Sequence, residues 1–430
     1  MAGADVTRTT IETIWRIEAA RLIGGLTRFV RDVDRAEDLA QDALVAALEK
    51  WPVTGIPNNP GAWLMTAAKN RAVDAARRRG MMDDKHREIA HTAPPWATLD
   101  DESLDQPVAD DVLRLMLVAC HPVLSREARV ALTLRLIAGL STAEIARAFL
   151  ASDATIAQRI VRAKRTLTEA RVPFEVPRGD DLRARIPPTL EVLYLIFNEG
   201  YAATAGDDWL RPALCDEAMR LGRIVMGLVP DDAEVLGLVA LMELQASRTR
   251  ARTGPDGVPV LLFDQDRRRW DRLLITRGLA TLARAEALHQ PLGPYTIQAA
   301  IAACHARARR PEETDWPRIV ALYDALVEIT GSPVVALNRA VAISRAYGAA
   351  EGLALVDALA DEPALAQYHL LPSVRGDLLM QLERWGEAQR ELERAAAMTA
   401  NTRERSLLRE RAARCASRAM TAAPGAEPTH

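Results

Sequence analysis

Thr155, Gln158, Arg159 and Arg162 lie at helical spacing, the last three following Thr155 by three, four and seven residues. On a helix such positions share one face. Their side chains are of the kind that read base edges in the major groove, arginine pairing with guanine and glutamine with adenine. Lys164 and Arg165 come directly after and supply charge suited to phosphate oxygens. The same pattern also describes a solvated basic face on an ordinary helical hairpin, so the surrounding elements have to decide.

Two helices are needed to position that face, and the sequence supplies signals for both. Ser141 followed three residues later by Glu144 is a capping box, and the short helix it opens carries Ile145, Ala148 and Phe149 inward. Ser152-Asp153 offers a second N-cap, after which Ile156, Ile160, Ala163 and Leu167 form one apolar stripe of a longer helix. Residues 139–169 therefore read as a helix-turn-helix with the polar face outward. Leu150 stands at the turn, where many such motifs place glycine.

Charge is distributed unevenly along the 430 residues. The net charge of −3 divides into +2 over residues 1–80, −7 over 81–111, +6 over 112–172 and −4 over the remainder. A basic module preceded by an acidic tether suits a nucleic-acid-binding domain whose linker is kept off the DNA. Composition, 49% hydrophobic with only 4% aromatic residues, indicates helical packing rich in Ala, Leu and Val. Cys120, Cys215, Cys304 and Cys415 form no CxxC pair and read as buried thiols rather than zinc ligands or disulfides. No run of eighteen apolar residues exists, and Asp5, Arg8 and Glu12 interrupt the N-terminus where a signal peptide would be apolar, so no membrane is expected and the location expected is cytoplasmic.

Upstream, residues 10–30 and 35–51 read as amphipathic helices, the second with Ala36, Leu39, Ala43, Ala47 and Leu48 inward and ended by Trp51-Pro52. Its outer face, Asp38, Gln41, Asp42 and Glu49, is acidic: a solvated surface, or a docking face for a basic partner helix. A third helix over 61–79 puts Asn70, Asp74, Arg77 and Arg78 on one face, which reads either as complementing the helix dipole or as a track for the DNA backbone.

Asp38-Leu39-Ala40-Gln41-Asp42, Asn59-Pro60-Gly61-Ala62-Trp63-Leu64, Ala68-Lys69-Asn70-Arg71-Ala72-Val73-Asp74 and Arg77-Arg78-Arg79 together resemble region 2 of extracytoplasmic-function sigma factors, and the downstream helix-turn-helix resembles region 4. The resemblance implies that Asp38, Gln41 and Asp42 grip the clamp helices of core RNA polymerase. It also implies that the 52–60 loop and the helix bearing Asn70 open and read the upstream promoter element, with Lys69, Arg77 and Arg78 on phosphates. Thr155, Gln158, Arg159 and Arg162 would then read the more distal element of the promoter DNA.

A short sigma factor would end near Arg171; this chain continues through the Pro- and Gly-rich boundary at Val176-Pro177-Arg178-Gly179 into a long helical extension. Pro294, Pro333 and Pro372 recur every 39 residues, each expected to open a helix followed by a second, which suggests tetratricopeptide-like hairpins stacked as a solenoid. Leu195-Ile196-Phe197-Asn198-Glu199-Gly200-Tyr201, Asp264-Gln265-Asp266-Arg267-Arg268-Arg269-Trp270 and Gly293-Pro294-Tyr295 resemble the extension of a sigma-factor subgroup with such a C-terminal domain.

The expected architecture is all-α: region 2 over 1–80, an acidic flexible linker over 81–111, region 4 over 112–172, a linker over 173–186, the extension over 187–415 and a disordered tail over 416–430. The extension is expected to contact the sigma domains within the same chain and to regulate or support them, with Phe197, Asn198, Tyr201, Arg267, Trp270 and Tyr295 as candidate docking residues. No Gly-rich phosphate loop, nucleophile elbow or HExxH occurs, so neither catalysis nor a cofactor is expected. Asp264, Asp266 and Asp271 lack the Gly turn and twelfth-position Glu of a calcium loop and, interleaved with arginines, read as a salt-bridge network. Two other readings, a one-component helix-turn-helix regulator with a helical effector domain and a pure interaction scaffold, leave residues 10–79 and the charge segregation, respectively, without a role.

Overall fold

Helix signals in this chain are dense, and the computed structural model, which describes residues 2–84, 108–149, 151–202, 205–206, 210–254 and 257–422, is helical almost throughout. The chain splits into two units, residues 1–192 and 193–430, with eighteen α-helices among the described residues. The acidic linker falls largely on residues 85–107, outside the described residues, as does the turn residue Leu150.

In the first unit, α1 (Ala2–Val30), α2 (Val33–Thr54) and α3 (Pro60–Asp84) pack together. The Asp32 carboxylate caps α2 by accepting from the Arg35 amide at 2.8 Å. The helix runs through Pro52 rather than stopping there, because a proline so near the end removes one hydrogen bond only. Gly55, at φ 82°, then closes it by donating to the Trp51 carbonyl at 2.9 Å. Trp51 is buried edge-on to Trp63 of α3, with ring centroids 5.3 Å apart. Leu48, expected inward, is exposed.

Four further helices complete this unit: α4 (Val108–Ala119), α5 (Arg126–Leu136), α6 (Thr142–Ala148) and α7 (Asp153–Glu169). The connection from α5 to α6 needs Gly139, whose φ of 65° is costly for residues with a Cβ. The capping box at α6 is closed both ways, the Glu144 amide donating to Ser141 Oγ at 3.2 Å and the Ser141 amide to Glu144 Oε2 at 2.8 Å. Ser152 caps α7, accepting from the Thr155 amide at 3.1 Å.

The boundary between units falls inside α8 (Gly179–Tyr201), which starts earlier than the expected 187 and passes through Pro187-Pro188. Its N-terminal half belongs with the first unit, where Arg185 donates to the Leu117 carbonyl at 3.1 Å and Glu191 pairs with Arg126 and Arg129. The stretch expected as a linker to 186 is thus partly helix, favoured by Asp180 and Asp181 in its first turn.

The second unit stacks helices in sequence: α9 (Pro212–Leu228), α10 (Ala233–Ala246), α11 (Arg272–Ala287), α12 (Pro294–Arg307), α13 (Trp316–Thr330), α14 (Pro333–Tyr347), α15 (Ala349–Ala358), α16 (Leu370–Gln381), α17 (Trp385–Met398) and α18 (Thr402–Ala422). Pro294 and Pro333 are first residues of their helices, while Pro372 sits in the first turn of α16. The repeat therefore consists of the pairs α12–α13, α14–α15 and α16–α17, with α18 packed on α17. Gly237 is required where α10 meets α12, since a Cβ there would come within 2.3 Å of Thr296 Oγ1. A two-residue parallel pair, β1 (Ala205–Gly206) with β2 (Ala400–Asn401), joins the early and late parts of this unit. Helix α18 occupies part of the tail expected to be disordered, because Leu408, Ala412 and Cys415 form a buried stripe under an otherwise polar sequence. All four cysteines are free and buried, and burial raises the Cys120 thiol to about 11 and the Cys215 thiol to about 12. No described helix is long and apolar enough to cross a membrane.

Candidate nucleic-acid interface

Helix α7 buries Ile156, Ile160, Ala163 and Leu167 against α5 and α6, and this fixes what its other side presents. Thr155, Gln158 and Arg162 are exposed and Arg159 is half-buried, so the four stand together on the accessible face. Thr155 also shares a hydroxyl hydrogen bond of 2.8 Å with Ser152 at the cap. Arg165 is exposed beside them and pairs with Glu169 one turn on, at 2.6 Å.

Lys164 departs from its expected place. Position 164 points toward α2, where its ammonium lies 2.7 Å from Asp34 Oδ1 and 2.6 Å from Glu37 Oε2. The residue is buried, and in this arrangement it has no phosphate-facing surface to offer. Burial alone would depress its pKa, but the charge of Glu37 and the hydrogen bonds to Asp34 and Glu37 outweigh it and hold the pKa above its ordinary value. Glu37 also receives Arg135 Nε of α5 at 2.6 Å, and Arg135 reaches the Leu140 carbonyl at 3.2 Å, in the turn before α6. One buried carboxylate therefore ties α2 to both α5 and α7.

The acidic face of α2 is drawn into the same network. Gln41 donates to Glu37 Oε1 at 2.6 Å. Asp38 is exposed, and its pKa is raised first by partial desolvation and then by the neighbouring Asp34 charge, against the pull of Lys164. Asp42 is exposed and pairs with Arg71 of α3 at 3.1 Å. On α3 itself, Lys69 is half-buried and Asn70 exposed. Arg77 and Arg78 fall on the helix, but their side chains lie outside those described.

Asp34, Glu37 and Arg135 are absent from the residues expected at the site. The available signal was Glu37 lying between Ala36 and Ala40, on the side of α2 that turns out buried, where an ionised group has to find a partner. The acidic cluster of the second unit also differs from expectation. Asp266 pairs with its near neighbour Arg268, and Asp271 caps α11 through the Leu273 and Leu274 amides, so no extended network forms among the described residues.

Residues 15–81 match the model of Sigma-70 region 2, residues 114–167 that of Sigma-70, region 4, and residues 185–286 that of a family of unknown function, DUF6596. A probable ECF RNA polymerase sigma factor SigI of Mycobacterium tuberculosis is 28% identical over 167 residues, which span 39% of this chain and 57% of that one. The RNA polymerase sigma-H factor of Pseudomonas aeruginosa is 28% identical over 163 residues, 36% of this chain and 82% of that one. No solved structure matches significantly. Two sigma-70 modules in this order, the second holding the capped helix pair α6–α7, define the class: the chain carries regions 2 and 4 of the sigma-70 type. More particularly, it belongs to one family with an uncharacterized protein, R00370, of Rhizobium meliloti, to which it is 44% identical over 397 residues, 90% of this chain and 91% of that one.

Proposed function

We propose that the chain binds core RNA polymerase through Asp38, Gln41 and Asp42 on α2 and directs it to promoters read by two surfaces. Asn70, with Lys69, Arg77 and Arg78 on phosphates, would take the upstream element. Thr155, Gln158, Arg159 and Arg162 would take the distal one, with Arg165 on the backbone. The observation that carries this reading is the sidedness of α7, whose apolar stripe is wholly buried while the base-reading set stays accessible.

Lys164 joins the phosphate contacts in this reading only after releasing Asp34 and Glu37. The arrangement described is accordingly that of the free protein, with its acidic helix and its helix-turn-helix holding each other. Exchange of one set of partners for another explains why a buried ion-pair network, rather than an apolar seam, joins α2 to α5 and α7. The C-terminal extension, in the same reading, regulates or supports the sigma module through intramolecular contact, at the high effective concentration that a shared chain provides.

The test is a titration of the full chain against core RNA polymerase. Saturable binding, weakened by charge reversal on the exposed acids of α2, supports the proposal; absence of binding to core removes it.

A further inference from the structure

The second unit contains a group of buried polar atoms that neither the sigma reading nor the helical stack employs. Trp270, only 4% exposed, has an indole N–H with no hydrogen-bond partner among the described residues. Arg267 and Arg248 approach the same ring, their guanidinium carbons 4.9 Å and 5.9 Å from its centroid, and the Nε of each is likewise buried and unpartnered. So is Nδ1 of His305, whose backbone carbonyl accepts from Arg267 at 2.8 Å. Burial first, and then the charges of Arg248 and Arg267, lower the His305 pKa to about 3. Leaving buried donors unpaired is costly, and such a cluster marks a place where an acceptor is missing.

Trp270 also lines a cavity of about 650 Å³ together with Arg250, Arg268, Arg269, Asp271, Arg272 and Leu273. Four of these seven residues are arginines, and the acids nearby are already engaged. Asp271 accepts from the Leu273 and Leu274 amides at 2.9 and 3.1 Å, and Asp266, next to the cavity in sequence, holds Arg268 at 3.0 Å. Among the described residues, Arg250, Arg269 and Arg272 form no ion pair, and the Arg269 side chain reaches only the Thr253 carbonyl, at 3.5 Å. Guanidinium forks with free donors match the oxygens of phosphate groups, and weak hydration lets arginine hold them beside an aromatic wall.

We infer that this cavity is a binding site for an organic phosphate carrying more than one phosphoryl group, with Arg250, Arg269 and Arg272 on the phosphates and the organic part against Trp270 and Leu273. A volume of about 650 Å³ is that of a small-molecule site and exceeds what a lone inorganic anion needs. The apolar wall beside the arginines favours a small ligand over a nucleic-acid backbone, which would track an extended basic surface.

The experiment is calorimetric titration of the full chain with ATP, GTP and fructose 1,6-bisphosphate, with orthophosphate and tripolyphosphate as controls. At least one organic phosphate is expected to bind saturably at one site, more tightly than tripolyphosphate. Arg250→Ala with Arg272→Ala is expected to weaken it by roughly tenfold or more, as loss of charge-assisted hydrogen bonds does. Both side chains are exposed, and an unchanged unfolding transition without ligand will show that the double variant is folded. The inference is overturned if no organic phosphate binds saturably, if the double variant binds as the parent does, if tripolyphosphate matches every organic phosphate, or if a DNA duplex displaces the ligand from this site.

Discussion

The Lys164 ammonium stands 2.6 Å from the Glu37 carboxylate, and the two residues lie 127 positions apart in the chain. Glu37 holds Arg135 at the same distance through its other oxygen. Removing one partner of a buried network leaves uncompensated charge, so Glu37→Gln is expected to cost about 3 kcal/mol, the lower end for such pairs because Asp34 still holds Lys164. Replacing Glu37, Arg135 and Lys164 together by Met should recover most of that loss. The Lys164 pKa is held above its ordinary 10.5, so its contribution is in force across neutral pH and is lost only as pH rises beyond that value. Chemical unfolding followed by Trp fluorescence measures all three effects.

Asp42 illustrates how a contact residue can be separated from a structural one. Its pair with Arg71 is exposed on both sides and is worth about 0.2–1 kcal/mol. Asp42→Arg should therefore leave the unfolding midpoint nearly unchanged while lowering affinity for core polymerase. A large loss of stability with unaltered core affinity would remove Asp42 from the proposed contact.

On α7 the contrast is between Arg159 and Arg165. Arg159→Ala should cost about 1–3 kcal/mol on the preferred promoter and relax specificity at one base pair. Arg165→Ala should weaken all sequences alike and flatten the dependence of log K on log salt by about one ion. Identical behaviour of the two variants across a panel of promoter substitutions contradicts this division.

His305 gives the second unit a pH signature. It is half-buried beside Arg248 and Arg267 and edge-on to Trp316, and its pKa is depressed to about 3. The unfolded chain binds a proton below about pH 6.5 that the folded chain refuses, so stability is complete above that pH and falls as pH drops, by about 1.4 kcal/mol per unit from this residue. Unfolding measured between pH 7 and 5 should show a shallower slope in His305→Phe than in the parent.

Much of this architecture is readable from local pattern. Ser141 with Glu144, Ser152, and the stripe through Ile156, Ile160, Ala163 and Leu167 each report a short-range cause, and each forms as its pattern requires. The departures have causes that local pattern does not carry. Lys164 looks like one more cation on a basic face, because its partners lie 127 and 130 residues away. Pro187-Pro188 reads as the start of a helix, yet α8 begins at Gly179 and runs through both prolines, held by Ile186, Leu190 and Val192 in the core. Helix α18 hides behind arginines and a three-residue stripe. The orphaned donors around Trp270 come together only when Arg248, Arg267, Trp270 and His305 are folded onto one another.

The placement of α8 also sets how the extension should be removed. A cut after Arg178 takes away Ile186, Leu190, Val192 and the Glu191 pairs, and should destabilise the first unit. A cut after Tyr201 keeps them and should leave residues 1–201 folded, which circular dichroism and thermal unfolding of the two fragments will compare.

The most direct measurement is strand opening on a candidate promoter, read as permanganate reactivity of unpaired thymines, with the full chain and core RNA polymerase added separately and together. The sigma reading predicts opening at one promoter position only when both are present, and its loss when Asp38 and Asp42 are reversed in charge. Tight, sequence-specific binding of the chain to DNA without core, with no opening when core is added, would contradict it and return the chain to a one-component regulator.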